Sequence, residues 1–398
     1  MGCHDDLLNE LSGHRVRRSR MLRDLDVMSR RGLLRLGAGA LGTGMLARAG
    51  GLRLAAAQDA PVALPEFGEI PAALKGSGEV VVSGWGGAMQ AAQETAYYKP
   101  FEELCGIKVV VADQQPDPSK ILAMVQTGNI EYDVMQDARS TVIRLEEKGE
   151  IWEEVDYSIF DTANIDEGRR YKYSIDMLPY AWVIAYRTDA FPEGPQNQAD
   201  FFDITKFPGP RSTPGGTSGL NPFLEAALLA DGVAMDALYP LDIERAFAKL
   251  ATIKSDVVKF WDAGSQPAQL LNDNEAVMVH AWNGRIDAIQ RTGAPAVIQW
   301  NQAELDTDVW AAIKGAPNAE NAQKFMAFTT LAVPQARLSM LIPYGFVNNA
   351  SPALIPEDVL ANLPTAPQYA DITFTRNVQW WVDNTQAVED RWNEWILE

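Results

Sequence analysis

The run Glu79-Val80-Val81-Val82-Ser83, followed at once by Gly84-Trp85-Gly86-Gly87, constrains the fold more than any other feature. Three consecutive valines favour a buried strand, and the glycines end it in a tight turn. A helical pattern then extends to residue 104. The same order recurs: a strand over 107–112, then a helix capped by Ser119 and running through Thr127, with Ile121, Leu122 and Val125 on one face. A strand over 132–135 and a helix over 140–148 continue the series. Strands alternating with helices imply parallel sheets covered by helices, an α/β fold. Further strands are expected over 182–186, 257–261, 275–282 and 296–300, with a helix over 242–253. The Gly/Pro-rich stretch 207–216 reads as a loop. The last third reads as helical, over 319–332, 334–341 and 377–397. No internal repeat is apparent.

The first 57 residues differ from the rest. They hold 10 of the 34 Lys and Arg but only 5 of the 53 Asp and Glu. Ser29-Arg30-Arg31-Gly32-Leu33-Leu34-Arg35 precedes a Gly/Ala/Leu run over 36–47, and Leu54-Ala55-Ala56-Ala57-Gln58 follows. A basic head, a short apolar stretch and small residues at a cleavage point form an export signal. The Arg pair points to the twin-arginine route, with cleavage near Ala57. The apolar run of about 12 residues falls short of the ~20 that span a bilayer. Met1, Met21 and Met28 are all candidate translation starts. The expected mature protein, about 340 residues, is periplasmic and long enough for about two domains.

Composition narrows the chemistry. A formal charge of -19 argues against a nucleic-acid surface, which needs clustered cations. Cys3 and Cys105 exclude a disulfide scaffold and a multi-thiolate zinc site, and three histidines make a His-rich metal centre untenable. His280, the one histidine after the signal, lies at an alternating strand position and reads as a structural group. No nucleophile stands out with a base beside it. Gly84-Trp85-Gly86-Gly87 lacks the Lys and Ser/Thr of a P-loop. An exported α/β chain of this kind is a binder rather than an enzyme; a secreted two-lobed hydrolase or transferase is the alternative from another class.

Five features occur in a telling order: the export signal, the strand with its Trp-Gly-Gly turn, Glu131-Tyr132-Asp133-Val134, Ala281-Trp282-Asn283-Gly284, and Lys314-Gly315-Ala316-Pro317-Asn318. In this the chain resembles the extracytoplasmic solute-binding subunits of ABC transporters, in the spermidine/putrescine-binding group. The resemblance implies a two-lobed periplasmic binding protein fold (type II), with the ligand in the cleft between lobes. Lobe 1 would take 75–179 plus 302–342, and lobe 2 would take 180–301 plus 343–398. Tyr180-Ala181-Trp182 would form the first crossover, with 305–310 near the second. A monomer would deliver a small amine-bearing solute to an inner-membrane permease and its ATPase, with no cofactor and no reaction of its own.

That family holds amines with aromatic faces and carboxylates. Carried over by motif, the ligand-binding residues would be Trp85, Gly86, Trp282, Asn283, Tyr344 and Asp308 or Asp306. A core position at a strand end is the alternative for Trp85 and Trp282, and their motifs favour the cleft. Departures from the polyamine pattern matter too. Gly87 and Ala88 stand where those binders carry Glu and an aromatic, and Gly219 and Pro222 stand where they carry acids. Arg285 directly follows Trp282-Asn283-Gly284. A cation in an amine site suits a ligand that brings its own anion, so a zwitterion such as 4-aminobutyrate is the second ligand reading.

Overall fold

The computed structural model describes residues 63–112, 116–216 and 222–398. The export signal, its Arg30-Arg31 pair, the cleavage point near Ala57 and Gly219 lie outside the described residues. Among the described residues, nine strands form one mixed sheet: β1 (Glu79–Ser83), β2 (Lys108–Val111), β3 (Val134–Ala138), β4 (Ile175–Arg187), β5 (Arg211–Pro214), β6 (Val257–Trp261), β7 (Met278–Trp282), β8 (Ala296–Ala312) and β9 (Thr373–Thr375). Their order is β2-β1-β3-β8-β4-β7-β5-β6, with β9 on β8. The expected parallel pairing holds for β1 with β2 and β3, and for β5 with β6 and β7. The centre is antiparallel: β8 runs against β3 and β4, and β4 against β7.

Two long strands dominate that centre. β4 has 13 residues and β8 has 17, so each passes through both halves of the sheet. Their ladder shifts register twice, between Asp176 and Leu178 and between Trp182 and Ile184. Between the shifts, Tyr180 lies opposite Asp306 and Trp182 opposite Glu304.

A core lies in each half. Val80, Val82, Tyr97, Phe101, Trp310, Phe325 and Phe328 fill the first. Phe201, Leu228, Phe247, Met278, Trp381, Trp392 and Trp395 fill the second. Removing one such side chain from water contributes about 1.5–3 kcal/mol. Trp380 packs against the second core from its edge. Tyr97 and Tyr98 are packed inside the first.

Several local expectations are corrected. The helix after β2, Pro118–Thr127, is capped by Asp117, whose carboxylate accepts from the Ser119 and Lys120 amides. Residues 211–214 are a buried strand rather than a loop. Arg211 is buried there because backbone carbonyls satisfy its guanidinium, those of Phe201 and Gly209 at 2.6 and 2.7 Å. Two of the quoted motifs form a clasp. The Asp133 carboxylate accepts from the Val81 amide at 2.7 Å, the Asn318 amide at 3.1 Å and the Asn318 side chain at 3.0 Å. Charge-assisted bonds of this kind tie the first strand to the start of the helix Ala319–Thr329.

Candidate functional site

β1 runs out into Gly84 and Trp85, whose indole Nε1 donates to the Gln136 carbonyl at 3.0 Å. The Gln136 side chain is fixed at both ends. Its Nε2 donates to Asp308 Oδ2 at 2.6 Å, and its Oε1 accepts from Gln93 Nε2 at 2.7 Å. Tyr98 Oη holds Gln93 in turn at 2.9 Å. On the long strands, alternate residues share a face. Leu178, Tyr180 and Trp182 of β4, with Asp306 and Asp308 of β8, therefore look into one cavity.

Trp282-Asn283-Gly284-Arg285 opens the helix Asn283–Gln290, and its four residues divide the labour. Trp282 lines the cavity, edge-on to Trp85 at 5.8 Å and to Trp182 at 5.3 Å between ring centroids. Asn283 is buried away from it. Its Oδ1 accepts from the Ala181 amide at 3.0 Å, and its Nδ2 donates to the Pro343 carbonyl at 2.6 Å. Gly284 makes room for Tyr344, since a Cβ there would stand 2.6 Å from the phenol Cζ. Arg285 crosses to the first half of the sheet and donates to the carbonyls of Gly86 and Trp85 at 3.1 and 3.4 Å. Gly87, at φ +60°, is the floor beneath it: a Cβ would lie 2.9 Å from Nη1.

The arrangement therefore brings Trp85, Trp282, Arg285, Asp306, Asp308 and Tyr344 to one cavity. Gly86 meets it only through its carbonyl, held by Arg285, and Asn283 supports the wall from behind. Sequence reasoning overlooked Gln136, Asp137, Thr141, Arg144 and Arg376, and treated Tyr180 and Trp182 only as a crossover. All seven line the cavity. The available signal was the alternation of Leu178, Tyr180 and Trp182 against Glu304, Asp306 and Asp308.

The electrostatics are acidic and dry. Loss of water pushes the Asp308 carboxyl up to about 8; Asp137 and Asp306 push the same way, while the Gln136 bond and Arg285 pull it down. Asp137 is pushed up to about 7, also by burial, against the Ala138 amide, Arg144 and Thr141. Asp306 is raised by burial, with Arg376 opposing at 3.6 Å. It accepts from Tyr180 Oη at 3.2 Å and from the Thr307 amide at 2.8 Å. Arg376 bonds chiefly to Glu304. Among the described residues that line the cavity, four buried donors stay free: the indole Nε1 of Trp182 and of Trp282, Arg144 Nε and Arg285 Nε. Such groups have a pairing need that a polar ligand can meet.

Rings, unpaired donors and carboxyls raised by burial around a cavity on two through-running strands define a receptor for a small polar solute. The chain belongs to the bacterial extracellular solute-binding protein family, whose profile matches residues 96–368. That family serves ABC importers and consists of binding proteins rather than enzymes. The chain is 37% identical over 325 residues to a gamma-aminobutyric acid-binding protein of Pseudomonas aeruginosa, a match covering 80% of this chain and 91% of that one. It is also similar to AgtB of A. tumefaciens R10, solved with agropinic acid, at 34% identity and a TM-score of 0.75 over 81% of this chain and 99% of that one. A GABA receptor structure matches at 34% identity and a TM-score of 0.71, covering 80% and 97%. These neighbours have the two-lobed periplasmic binding protein fold, and so does this chain. No helix among the described residues is long and apolar enough to cross a membrane.

Proposed function

We propose that this protein is the periplasmic receptor of an importer for a short ω-amino acid, with 4-aminobutyrate the leading candidate. The observation that carries the reading is the presence of Arg285 and Asp308 in the same ring-lined cavity. A ligand bearing one ammonium and one carboxylate matches that pair, whereas a diamine would bring a second cation toward Arg285. Of the five guanidinium N–H groups, two reach carbonyls and three remain, including the buried Nε. These suit a ligand carboxylate; Asp308, with Asp306 behind it, suits the ammonium; Trp85, Trp282 and Tyr344 supply faces that attract a cation. Two relatives named for gamma-aminobutyric acid support the same ligand class. The ranking of the two ligand readings made from sequence is thereby reversed, with spermidine and putrescine second. The acids at 137 and 306, both buried, and the half-buried Asp308 are the feature that favours a polyamine.

In this reading, residues 75–179 plus 302–342 and residues 180–301 plus 343–398 are the two lobes. The closed, loaded form docks on the permease. Calorimetry with 4-aminobutyrate and putrescine tests the ligand. Arg285→Ala is expected to weaken 4-aminobutyrate by at least ~2 kcal/mol, the scale of a buried charged anchor, and to spare putrescine. Tight putrescine binding indifferent to Arg285, with no 4-aminobutyrate binding, reverses the assignment.

A further inference from the structure

Trp282 owes its position to a residue outside the cavity. The benzo edge of its indole rests on buried Gly264, in the turn between β6 and the helix Gln266–Asn272. A Cβ at Gly264 would stand 2.1 Å from Cζ3, 2.8 Å from Cε3 and 3.2 Å from Cη2, far inside contact distance. The backbone there is not in the left-handed region, so the ring is what calls for glycine. The other neighbours are rings that are themselves pinned. Trp261, 5.4 Å away, donates through Nε1 to the His280 carbonyl at 3.0 Å and stacks on Trp182. Trp85 is tied to the Gln136 carbonyl. A push from position 264 meets rigid packing on those sides, and densely packed interiors transmit such strain. The remaining direction is the cavity, and Trp282 Nε1 has no partner to hold it back.

We propose that Gly264 is a specificity-determining residue: by seating the Trp282 ring in the wall, it sets the length of ligand the cavity admits. The inference rests on the ω-amino acid reading and names the dimension along which that site discriminates. Gly264→Ala, Trp282→Phe and the double variant form the test. In the ligand-free protein, Gly264→Ala should lower the melting temperature by several degrees, and the Phe background should recover more than half of that loss. Equal losses in both backgrounds would show that Gly264 does not act through the indole. Calorimetry against glycine, β-alanine, 4-aminobutyrate and 5-aminovalerate supplies the second measurement. Gly264→Ala should weaken the longest acid bound by the natural sequence more than tenfold, and the next shorter one less than threefold. A uniform loss at every length overturns the proposal. If the natural sequence binds none of the four, the ω-amino acid reading and the length claim fall together, and melting alone judges the seat beneath Trp282.

Discussion

Asp308 carries the sharpest consequence at the residue scale. Its carboxyl, pushed up to about 8 by loss of water, is mostly neutral at pH 7 in the ligand-free protein. A bound ammonium favours the ionised form, so binding should expel a proton. Affinity for an amine-bearing ligand should climb from pH 6 to about 8, approaching tenfold per unit, and then level off. Calorimetry in buffers of different ionisation enthalpy counts that proton; finding none released, or the same slope in Asp308→Asn, removes Asp308 from the amine site. The stability effect has a definite sign. Between its ordinary 3.8 and about 8, the folded carboxyl binds more proton than the unfolded one. The ligand-free protein therefore loses stability as pH rises through that window, and Asp308→Asn should flatten the loss. That Trp85 and Trp282 line the cavity was legible because each sits in a quoted motif, and Asp308 was carried over by its place ahead of the Ala-Ile strand end. Asn283 shared the motif, yet it serves the backbone, since a sequence does not say which way a polar side chain turns. Asp137 and Arg144 lay in stretches whose composition resembles any amphipathic helix entry.

At the scale of elements, the helix start at Asn283 is the joint most open to test. Asn283→Ala would leave the Ala181 amide and the Pro343 carbonyl buried without partners. Each unmet group costs about 1–3 kcal/mol, so denaturant unfolding should show a loss of about 2–6 kcal/mol. A loss below about 0.5 kcal/mol would mean that the chain re-pairs these groups and the joint is unimportant. Asn283→Asp keeps the acceptor for Ala181 but sets a carboxylate oxygen against the Pro343 carbonyl, and should cost at least as much. The strands beside this joint were only partly legible. β1, β6 and the end of β7 announced themselves by β-branched and aromatic residues. β4 and β8 were seen only at 182–186 and 296–300, because Pro179 and the alternating acids Glu304, Asp306 and Asp308 disguise the rest. Those acids are tolerated in mid-sheet since Arg376, Tyr180 and Gln136 pair with them. A partner 70 or more positions away leaves no local mark. β5 was hidden for the converse reason: Pro and Gly around 208–216 speak for a loop, and only the satisfied Arg211 explains its burial.

For the whole molecule, the expected events are export, capture and a change of shape. Replacing Arg30 and Arg31 by Lys should retain full-length precursor in the cytoplasm; an unchanged periplasmic yield would exclude the twin-arginine route. Hinge closure of the two halves should reduce the radius of gyration in X-ray scattering when ligand is added, with a matching change in tryptophan fluorescence. An unchanged scattering profile at saturating ligand would deny the hinge. The two-lobed class was legible from the alternation of strands and helices together with the order of motifs; the mixed centre of the sheet was not. That centre has a mechanical consequence. The two breaks in the β4–β8 ladder bracket a segment where Tyr180 and Trp182 face Asp306 and Glu304. A beam yields where its section is interrupted, and this is the stretch where a solute would press. Were the halves to hinge there, the chain would resemble a strain gauge bonded to its own flexure: detection and bending would share one few-residue span, with no relay through distant side chains.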